Sequence, residues 1–337
     1  MKIGVIGAGN WGTALASLLA GKGFDVTLWA FEAEVSKGIN QKHCNPFFLS
    51  EFKLPKNLKA TNDIGEAARN KDLIVFVVPS HVTRTAAEKT APHIGKKTVF
   101  VSCTKGIETE TGKLISDILR ESLAGLPAEN LCFLSGPSFA NEVAKKLPTM
   151  VVIAGTSHSS TRFAQDAFRT DFFMPFTSDD IIGVQVGGAV KNVIAIACGI
   201  SDGLGYGNNT RAGTITRGLY EMIKIGKALG ANPITFSGLA GIGDLILTCT
   251  GDLSRNRQFG FMVGKGKDIS KKQPGAATQI AEGVITSKAI FHLIGKHNIS
   301  APICTEVYRI LHEKKEAKDA VADLIKMERT EELRGIV

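Results

Sequence analysis

Residues 2–12 read Lys-Ile-Gly-Val-Ile-Gly-Ala-Gly-Asn-Trp-Gly, an apolar run that leads directly into a G-x-G-x-x-G pattern. The run Lys2–Ile6 predicts a β-strand, and the residues after it predict a helix. In such a pattern Gly7 permits a tight turn, Gly9 lets the backbone approach a pyrophosphate, and Gly12 lets the helix pack against the strand. Free N–H groups at the helix start also favour an anion. The stretch therefore predicts a dinucleotide site; a glycine-rich turn without a ligand is the alternative.

The strand–helix pattern continues through the first half of the chain. Trp11–Gly21 is typical of a helix, and five further apolar runs have the length of buried strands. These runs are Val26–Trp29, Leu73–Val78, Thr98–Ser102, Leu131–Leu134 and Thr149–Ala154. Such alternation predicts an α/β protein with an N-terminal Rossmann-type domain, a doubly wound parallel sheet. The segment Gln41–Thr61 contains Pro46 and Pro55, and we expect it to be an ordered loop whose function is open.

The second half of the chain has helical spacing instead. Thr170–Asp180 contains Pro175 and a polar run that resembles a helix N-cap, so we place the boundary there, between domains 1–178 and 179–337. Apolar residues then recur at helical spacing in five segments. These segments are Asp180–Ser201, Arg211–Leu229, Thr286–Ile294, Cys304–Glu313 and Ala317–Lys326. We therefore predict an all-helical C-terminal domain.

Composition and charge narrow the classes of function. The chain has 337 residues, 44% of them apolar, which is enough for two hydrophobic cores. Its net charge is +8 and its pI is near 9.1. Because the basic residues are scattered, without a long basic run among aromatics, we expect no nucleic-acid partner and a small phosphorylated substrate.

Cysteine, histidine and hydropathy patterns bear on compartment and cofactors. None of the six cysteines forms a C-x-x-C pair, so we expect reduced thiols and a cytoplasmic protein. The histidines show no metal-ligand spacing, so no metal site is predicted. We expect no signal peptide, since strand-like sequence begins at Met1. The longest apolar runs, Leu73–Val78 and Val193–Ile200, fall short of the ~18 residues of a membrane helix, so we expect no membrane insertion.

The residues after the second predicted strand bear on which dinucleotide binds. An acidic residue about twenty positions beyond the glycine pattern commonly contacts the adenosine ribose, and Glu32 lies there. Its carboxylate would repel the 2′-phosphate of NADP, and neither Ala30 nor Phe31 is an arginine that would bind one. The pattern favours NAD; a solvated glutamate after a strand is the alternative.

Two charged residues in the second half lie in unusual surroundings. Lys191 lies in the apolar segment 184–195, where a lysine is costly unless it is paired or functional. Burial lowers the pKa of a lysine and suits it to proton transfer. Asp244 follows the glycine-rich run 238–243 and would orient Lys191 or a substrate. The alternatives are a lysine that reaches solvent at the helix edge and an aspartate that caps a helix.

Other polar groups are placed to bind a phosphorylated substrate. Ser254, Arg255 and Asn256 would together donate hydrogen bonds to a phosphate, although a turn with an exposed arginine is the alternative. Lys105 follows one predicted strand, and residues 135–140 end another. Since residues just past the strand ends line the ligand crevice of such sheets, we expect these to face nicotinamide or substrate.

Taken in chain order, these motifs resemble the soluble NAD(P)-dependent glycerol-3-phosphate dehydrogenases. The matching pieces are Gly7–Gly12 with Trp11, Lys105-Gly106, Gly136–Ala140, Lys191-Asn192, Gly241–Asp244, Thr248-Cys249, Ser254–Asn256 and Glu282-Gly283. Each piece is weak alone, but the ordered set extends over nearly the whole chain. The resemblance implies a Rossmann domain, a helical C-terminal domain, and reversible reduction of dihydroxyacetone phosphate to sn-glycerol 3-phosphate for phospholipid synthesis.

The resemblance also implies residue roles, with Lys191 as proton donor or acceptor and Asp244 beside it in catalysis. The implied substrate contacts are Lys105, Gly136, Ser138, Lys191, Asp244, Ser254, Arg255 and Asn256. The implied cofactor contacts are Gly7, Gly9, Asn10, Trp11, Gly12, Phe31, Glu32, Lys105, Ala140, Arg255, Ile280 and Glu282. Bacterial-type members often carry a basic residue at the position of Phe31, which helps hold NADPH. We therefore expect NAD or NADP as cofactor, with NAD favoured, and a homodimer.

Two alternatives stay open at this point. A hydroxyacid or ketopantoate-type reductase shares the two-domain plan but acts on a carboxylate instead of a phosphate. A dinucleotide-sensing protein without turnover would lack reactive groups, whereas Lys191, Asp244 and Arg255 are all present.

Overall fold

A computed structural model describes residues 1–267 and 281–326, and in it the chain divides into two compact units. Unit 1 comprises Met1–Lys105 and Ile115–Ile181. Unit 2 comprises Gly106–Leu114 and Ile182–Val337. The short segment Gly106–Leu114 thus belongs to the second unit although it lies in the first half of the sequence.

Unit 1 is built on an eight-stranded sheet. The strands are β1 (Lys2–Ile6), β2 (Asp25–Trp29), β3 (Lys59–Thr61), β4 (Leu73–Phe76), β5 (Val99–Ser102), β6 (Leu131–Ser135), β7 (Thr149–Gly155) and β8 (Phe173–Ser178). Their order across the sheet is β3-β2-β1-β4-β5-β6-β7-β8. All neighbouring pairs are parallel except β6 and β7, which are antiparallel. The order reverses between β1 and β4, and ligands of such sheets bind beyond the carboxyl ends of strands at this switch point.

The strand register places the predicted cofactor loops at one edge of the sheet. Ile6 of β1 pairs with Trp29 of β2 and with Phe76 of β4. The three strands therefore end level, and the segments that follow them begin side by side. The helices of unit 1 are α1 (Asn10–Gly21), α2 (Ala33–Lys42), α3 (Ile64–Ala68), α4 (Thr83–Thr90), α5 (Ile115–Ser122), α6 (Ala140–Ala144) and α7 (His158–Phe168).

The described residues of unit 2 are mainly helical. Their helices are α8 (Ile181–Gly203), α9 (Asn208–Ala228), α10 (Asp244–Thr250), α11 (Arg255–Gly264), α12 (Glu282–Lys296), α13 (Pro302–His312) and α14 (Ala317–Lys326). The hydrophobic core of this unit includes Val190 and Ile194 of α8 and Leu293 of α12. Ile107 and Leu114, which form an isolated antiparallel bridge, also belong to this core.

The predicted fold class is confirmed, with corrections to the sheet. The sheet is not wholly parallel, because β7 runs antiparallel to β6. Gln41–Thr61, predicted as a loop, ends in β3, whose three residues are too few for a periodic signal. Thr170–Asp180, predicted as the boundary, contains β8 at the sheet edge, where Pro175 is tolerated because one side of an edge strand lacks a partner.

The apolar run Val193–Ile200 is part of α8, which covers all but the first residue of the segment predicted as helical, Asp180–Ser201. The helix has 23 residues, and the mean hydropathy of its most apolar window is 1.7, so by length and composition it is sufficient to span a membrane. Because 89% of that window is buried inside the protein, α8 has the burial of a core helix.

Candidate active site

The turn between β1 and α1 contains three glycines, and the structure requires glycine at two of these positions but not at the third. Gly7 has φ +115°, and a Cβ there would lie 2.5 Å from the Val77 carbonyl oxygen. A Cβ on Gly12 would run into the Gly7 carbonyl oxygen. Gly9 is different, because its backbone is extended (φ −67°, ψ −176°) and a Cβ there would meet no atom within 4 Å. The chain itself therefore does not require glycine at position 9, whereas a ligand that approaches the backbone would.

The start of α1 fits an anionic ligand in front of Gly9. The first turn of α1 contains no acidic residue, and its unpaired backbone N–H groups and positive dipole end favour a phosphate. Asn10 is exposed and Trp11 is half-buried beside Phe173, with ring centroids 6.4 Å apart. The Trp11 indole Nε1 is buried and has no hydrogen-bond partner among the described residues. These features fit the pyrophosphate of a dinucleotide.

The end of β2 lies beside this turn in the sheet. Ala30 directly follows the strand and is fully buried, and the next residue, Phe31, is 82% exposed. Glu32 occupies the N-cap position of α2, but its side chain does not cap the helix. The carboxylate thus stands half-buried at the strand end, where the ribose of a dinucleotide lies in this kind of fold.

Three predicted substrate residues of unit 1 come together beyond β5 and β6. The Lys105 Nζ donates to the Gly136 carbonyl oxygen at 3.4 Å, and the Ser138 hydroxyl donates to the same oxygen at 3.0 Å. Gly136 has φ +131°, so the chain reverses direction directly after β6. Ala140 then begins α6. The positive charge of Lys105 is thereby held at the carboxyl edge of the sheet.

Unit 2 contains a buried ion pair between α8 and α10. Lys191 is 7% exposed and Asp244 is 1% exposed. The Lys191 Nζ donates to Asp244 Oδ1 at 2.5 Å and to the Thr248 hydroxyl at 2.9 Å. The Thr248 hydroxyl donates in turn to the Asp244 carbonyl oxygen at 2.6 Å. The lysine is therefore paired inside the protein, and the alternative in which it reaches solvent at the helix edge is wrong.

Glycines allow α8 and α10 to approach each other closely enough for this pair. A Cβ on Gly187, one helical turn before Lys191, would run into the Ala240 carbonyl oxygen. The turn that contains Ala240 leads directly into Asp244, and Gly241 has a non-helical backbone (φ −96°, ψ −106°). The glycine-rich run 238–243 therefore packs its backbone against α8 and sets Asp244 beside Lys191.

The sequence predicts that Ser254, Arg255 and Asn256 donate together to one phosphate. In the structure their side chains point in different directions from the start of α11. The Ser254 hydroxyl caps the helix by accepting the Arg257 backbone N–H at 3.3 Å. The Asn256 side chain donates to Asn192 Oδ1 at 2.9 Å and accepts the Gly283 backbone N–H at 3.0 Å. Arg255, at the first position of the helix, is exposed. Successive helical side chains point about 100° apart, so Arg255 alone of the three faces solvent.

Hydrogen bonds of Asn256 and Arg257 fix the position of α11. Asn256 links α8, through Asn192, to the first turn of α12, where Glu282 begins the helix. Arg257 donates through Nε to Asp202 Oδ2 of α8 at 2.9 Å. Hydrogen bonds of Asn256 thus connect α11 both to α8, next to Lys191, and to the start of α12, where Glu282 lies. Ile280, the remaining predicted cofactor contact, lies outside the described residues.

Two cysteines near these groups, Cys103 and Cys249, are buried. Burial raises the pKa of the Cys249 thiol, one residue beyond Thr248, well above its usual value. Burial likewise raises the pKa of Cys103, close to Lys105. All six cysteines are free, as expected. A protonated buried thiol is a poor nucleophile, so we expect neither Cys103 nor Cys249 to act as one.

Three residues of these clusters are not among the site residues that the sequence predicts. Thr248 could have been found, since it lies one helical turn after Asp244 and so faces the same way. Asn192 is adjacent to Lys191, and its only sequence signal is the motif that the two residues form. Asn45, which contacts the glycine turn of unit 1, carries no sequence signal.

Comparison with known proteins gives matches along the whole chain. The family model described as NAD-dependent glycerol-3-phosphate dehydrogenase N-terminus matches residues 2–161, and the corresponding C-terminus model matches residues 180–322. A glycerol-3-phosphate dehydrogenase, NAD(P)+, of Citrifermentans bemidjiense is 48% identical over 324 residues, 96% of each chain. A crystal structure of glycerol-3-phosphate dehydrogenase from Coxiella burnetii matches with a TM-score of 0.92 and 38% identity, over 97% of this chain and 99% of that chain.

A ketopantoate reductase bears on the alternative substrate class. The PanE/ApbA family ketopantoate reductase of Ralstonia eutropha matches with a TM-score of 0.63, over 95% of this chain and all of that chain. Its sequence identity is only 18%, so the likeness is one of fold.

Proposed function

The chain belongs to the NAD-dependent glycerol-3-phosphate dehydrogenase family, and we propose that it reduces dihydroxyacetone phosphate reversibly to sn-glycerol 3-phosphate with Lys191 as the proton donor. The observation that carries this proposal is the buried group of Lys191, Asp244 and Thr248. In this group a carboxylate and a hydroxyl hold a buried ammonium in a fixed position, and proton transfer to the oxygen of a reduced carbonyl needs such a positioned acid.

Lys191 provides the acid of the reaction. A nicotinamide dinucleotide, which residues 7–12 would hold at its pyrophosphate, would supply the hydride that C2 of dihydroxyacetone phosphate receives. As negative charge develops on the C2 oxygen, the Lys191 ammonium stabilises it and transfers a proton. Asp244 provides the counter-charge and fixes the direction of Nζ, and Thr248 accepts a second N–H of the ammonium. In the reverse direction the neutral lysine accepts the proton of the alcohol.

Arg255 is proposed to hold the substrate phosphate. Arg255 is exposed at the first position of α11, where the helix dipole adds a positive end, and its planar guanidinium suits two phosphate oxygens. Lys105 supplies a point charge near Gly136 and Ser138. Binding the phosphate remote from C2 orients the reacting carbon. The net charge of +8 supports an anionic substrate.

The residues after β2 support NAD as the preferred cofactor. The Glu32 carboxylate suits the two hydroxyls of an unmodified ribose and repels a 2′-phosphate. Phe31 offers no positive charge for that phosphate. We expect kcat/KM to be higher with NADH than with NADPH. In the double variant Phe31→Arg/Glu32→Ser, we expect kcat/KM with NADPH to rise about tenfold or more, since a charged partner replaces a repelling one.

The test follows nicotinamide absorbance with purified protein, dihydroxyacetone phosphate, and NADH or NADPH in parallel. Fast oxidation of NADH and slow oxidation of NADPH are expected. Comparable rates with both cofactors would leave the reaction standing but would overturn the interpretation of Phe31 and Glu32. Ketopantoate in place of dihydroxyacetone phosphate serves as the substrate control. Oxidation of the cofactor with ketopantoate but not with dihydroxyacetone phosphate would contradict the proposed reaction.

Three further proposals concern organisation in the cell. The six free cysteines support a reducing, cytoplasmic location. The resemblance supports a homodimer, and it supports a role in supplying phospholipid synthesis. Light scattering on the purified protein measures the oligomeric state, and a monomeric mass would contradict the dimer.

The family matches support a domain boundary at 178/179, because one match ends at residue 161 and the other begins at residue 180.

A further inference from the structure

A fully buried asparagine between α2 and β3 contacts the glycine turn of unit 1. Asn45 is 0% exposed. Its Nδ2 donates to the Ala8 carbonyl oxygen at 3.0 Å and to the Thr13 hydroxyl at 2.9 Å. Its Oδ1 accepts the backbone N–H groups of Phe47 and Phe48, both at 3.1 Å. The carboxamide therefore makes four hydrogen bonds, which is its full capacity.

The partners of Asn45 also fix which way its carboxamide faces. A backbone N–H can only donate and a carbonyl oxygen can only accept, so the oxygen and nitrogen of the side chain cannot be exchanged. Asn45 is thus a rigid link between its own turn and the Ala8 carbonyl.

The direction of the Ala8 carbonyl determines the direction of the next N–H group. The Thr13 hydroxyl also donates to this carbonyl, at 3.1 Å, so two buried donors hold it towards the protein interior. The Ala8–Gly9 peptide is trans, and in a trans peptide the C=O and the following N–H point in opposite directions. The Gly9 N–H therefore points away from the protein interior. A Cβ on Gly9 would meet no atom within 4 Å, so there is also open space beside this peptide.

We propose that Asn45 is a positioning residue for dinucleotide binding, which holds the 8–9 peptide so that the Gly9 N–H donates to the pyrophosphate. The inference rests on the proposed placement of the dinucleotide at Gly7–Gly12. Without the Asn45 donor, the peptide can rotate and present the Ala8 carbonyl oxygen to the phosphates, which the like partial charges disfavour. This gives the segment Gln41–Thr61 a function that its sequence left open.

The test compares two asparagines of that segment. In Asn45→Ala we expect the Kd for NADH, measured by fluorescence titration, to rise about tenfold, as for the loss of one buried donor. We expect kcat at saturating NADH and the KM for dihydroxyacetone phosphate to stay within about twofold, because neither depends on the peptide once the cofactor is bound. Asn57→Ala is the matched control, since Asn57 donates to the Ala20 carbonyl oxygen at the other end of α1, at 3.0 Å. It should lower Tm without changing the Kd for NADH.

Two further variants keep the inference falsifiable. Thr13→Val removes the second donor to the Ala8 carbonyl and should raise the Kd for NADH even if Asn45→Ala fails to fold. Gly9→Val tests the placement itself, and an unchanged Kd there would show that the dinucleotide does not lie at this turn. If Gly9→Val raises the Kd but Thr13→Val and any folded Asn45→Ala keep the wild-type Kd, Asn45 is structural only and the inference is wrong.

Discussion

Lys191 differs from an ordinary lysine in its surroundings, because it is 7% exposed and its charge is compensated by Asp244 inside the protein. The variant Lys191→Met keeps an unbranched side chain but removes the ammonium. Loss of a positioned acid costs ~10²–10⁴-fold in rate, so we expect kcat to fall by about that factor. The Kd for NADH should be unchanged, since the cofactor contacts proposed for unit 1 are intact. Steady-state kinetics and a fluorescence titration measure the two quantities.

Lys22→Met is the matched control for Lys191→Met, because it removes another hydrogen-bonded lysine ammonium. Its Nζ donates to the carbonyl oxygens of Asp166 and Ala167, both at 2.8 Å, and burial lowers its pKa. Lys22→Met should reduce the free energy of unfolding by about 1 kcal/mol and leave kcat unchanged. Because an unpaired Asp244 also destabilises the fold, circular dichroism must first show that Lys191→Met is folded. A folded Lys191→Met protein with near-normal kcat would refute the role of Lys191.

Individual residues could be predicted from the sequence where a charge was out of place. Lys191 in an apolar helix and Asp244 after three glycines are unusual in any sequence, and the structure pairs them. Asn45 has no such signal, because an asparagine in a proline-bearing segment is ordinary. Its contact with Ala8 joins residues 37 positions apart and arises only when the chain folds.

At the scale of elements, the sequence predicted long buried segments and missed short or edge ones. β1, β4 and β5 have continuous apolar runs, which a strand buried on both faces requires. β8 contains Pro175 and ends in polar residues, and only its pairing with β7 at the sheet edge makes it a strand. β7 runs antiparallel to β6. The apolar pattern of a strand does not encode its direction, so the sequence could not predict this.

The packing of α9 against α13 predicts a pH dependence of stability. Glu221 of α9 is 2% exposed and accepts the backbone N–H groups of Ile303 and Cys304, at 2.7 Å and 2.9 Å, in the first turn of α13. Burial raises the pKa of Glu221 to about 7, although these two hydrogen bonds act in the opposite direction. The unfolded pKa is ~4.3, so between these values the folded state binds more protons than the unfolded state. The Glu221 contribution to stability is therefore full below the unfolded pKa and is lost as the pH rises through about 7.

The measurement compares the wild type with Glu221→Gln by urea unfolding from pH 5 to pH 8. Glutamine does not titrate, so the free energy of unfolding of Glu221→Gln should fall less with rising pH than that of the wild type. The two decreases should differ by on the order of 3 kcal/mol between pH 5 and pH 8. Other titrating groups cancel in the difference between the two proteins. Equal pH slopes would show that Glu221 has an ordinary pKa.

At the scale of the whole molecule, the two-part organisation was visible in the sequence, but the path of the chain was not. A change from strand-like to helical spacing near residue 178 is a local pattern, and unit 1 ends at Ile181. Gly106–Leu114 belongs to unit 2 for a non-local reason. Ile107 and Leu114 are buried in the core that contains α8 and α12, and a Cβ on Gly112 would lie 3.5 Å from Leu293.

This path predicts that two buried isoleucines, 11 positions apart, stabilise different units. Ile107 is 1% exposed and belongs to the core of unit 2, whereas Ile118 is 0% exposed on α5 in unit 1. Each Ile→Ala change leaves a cavity and should cost about 2–5 kcal/mol in free energy of unfolding. In Ile107→Ala, hydrogen exchange measured by mass spectrometry should accelerate in α8 and α12, and in Ile118→Ala it should accelerate in α4 and α5. Faster exchange confined to α4 and α5 in both variants would mean that Gly106–Leu114 is stabilised as part of unit 1, as its place in the sequence suggests.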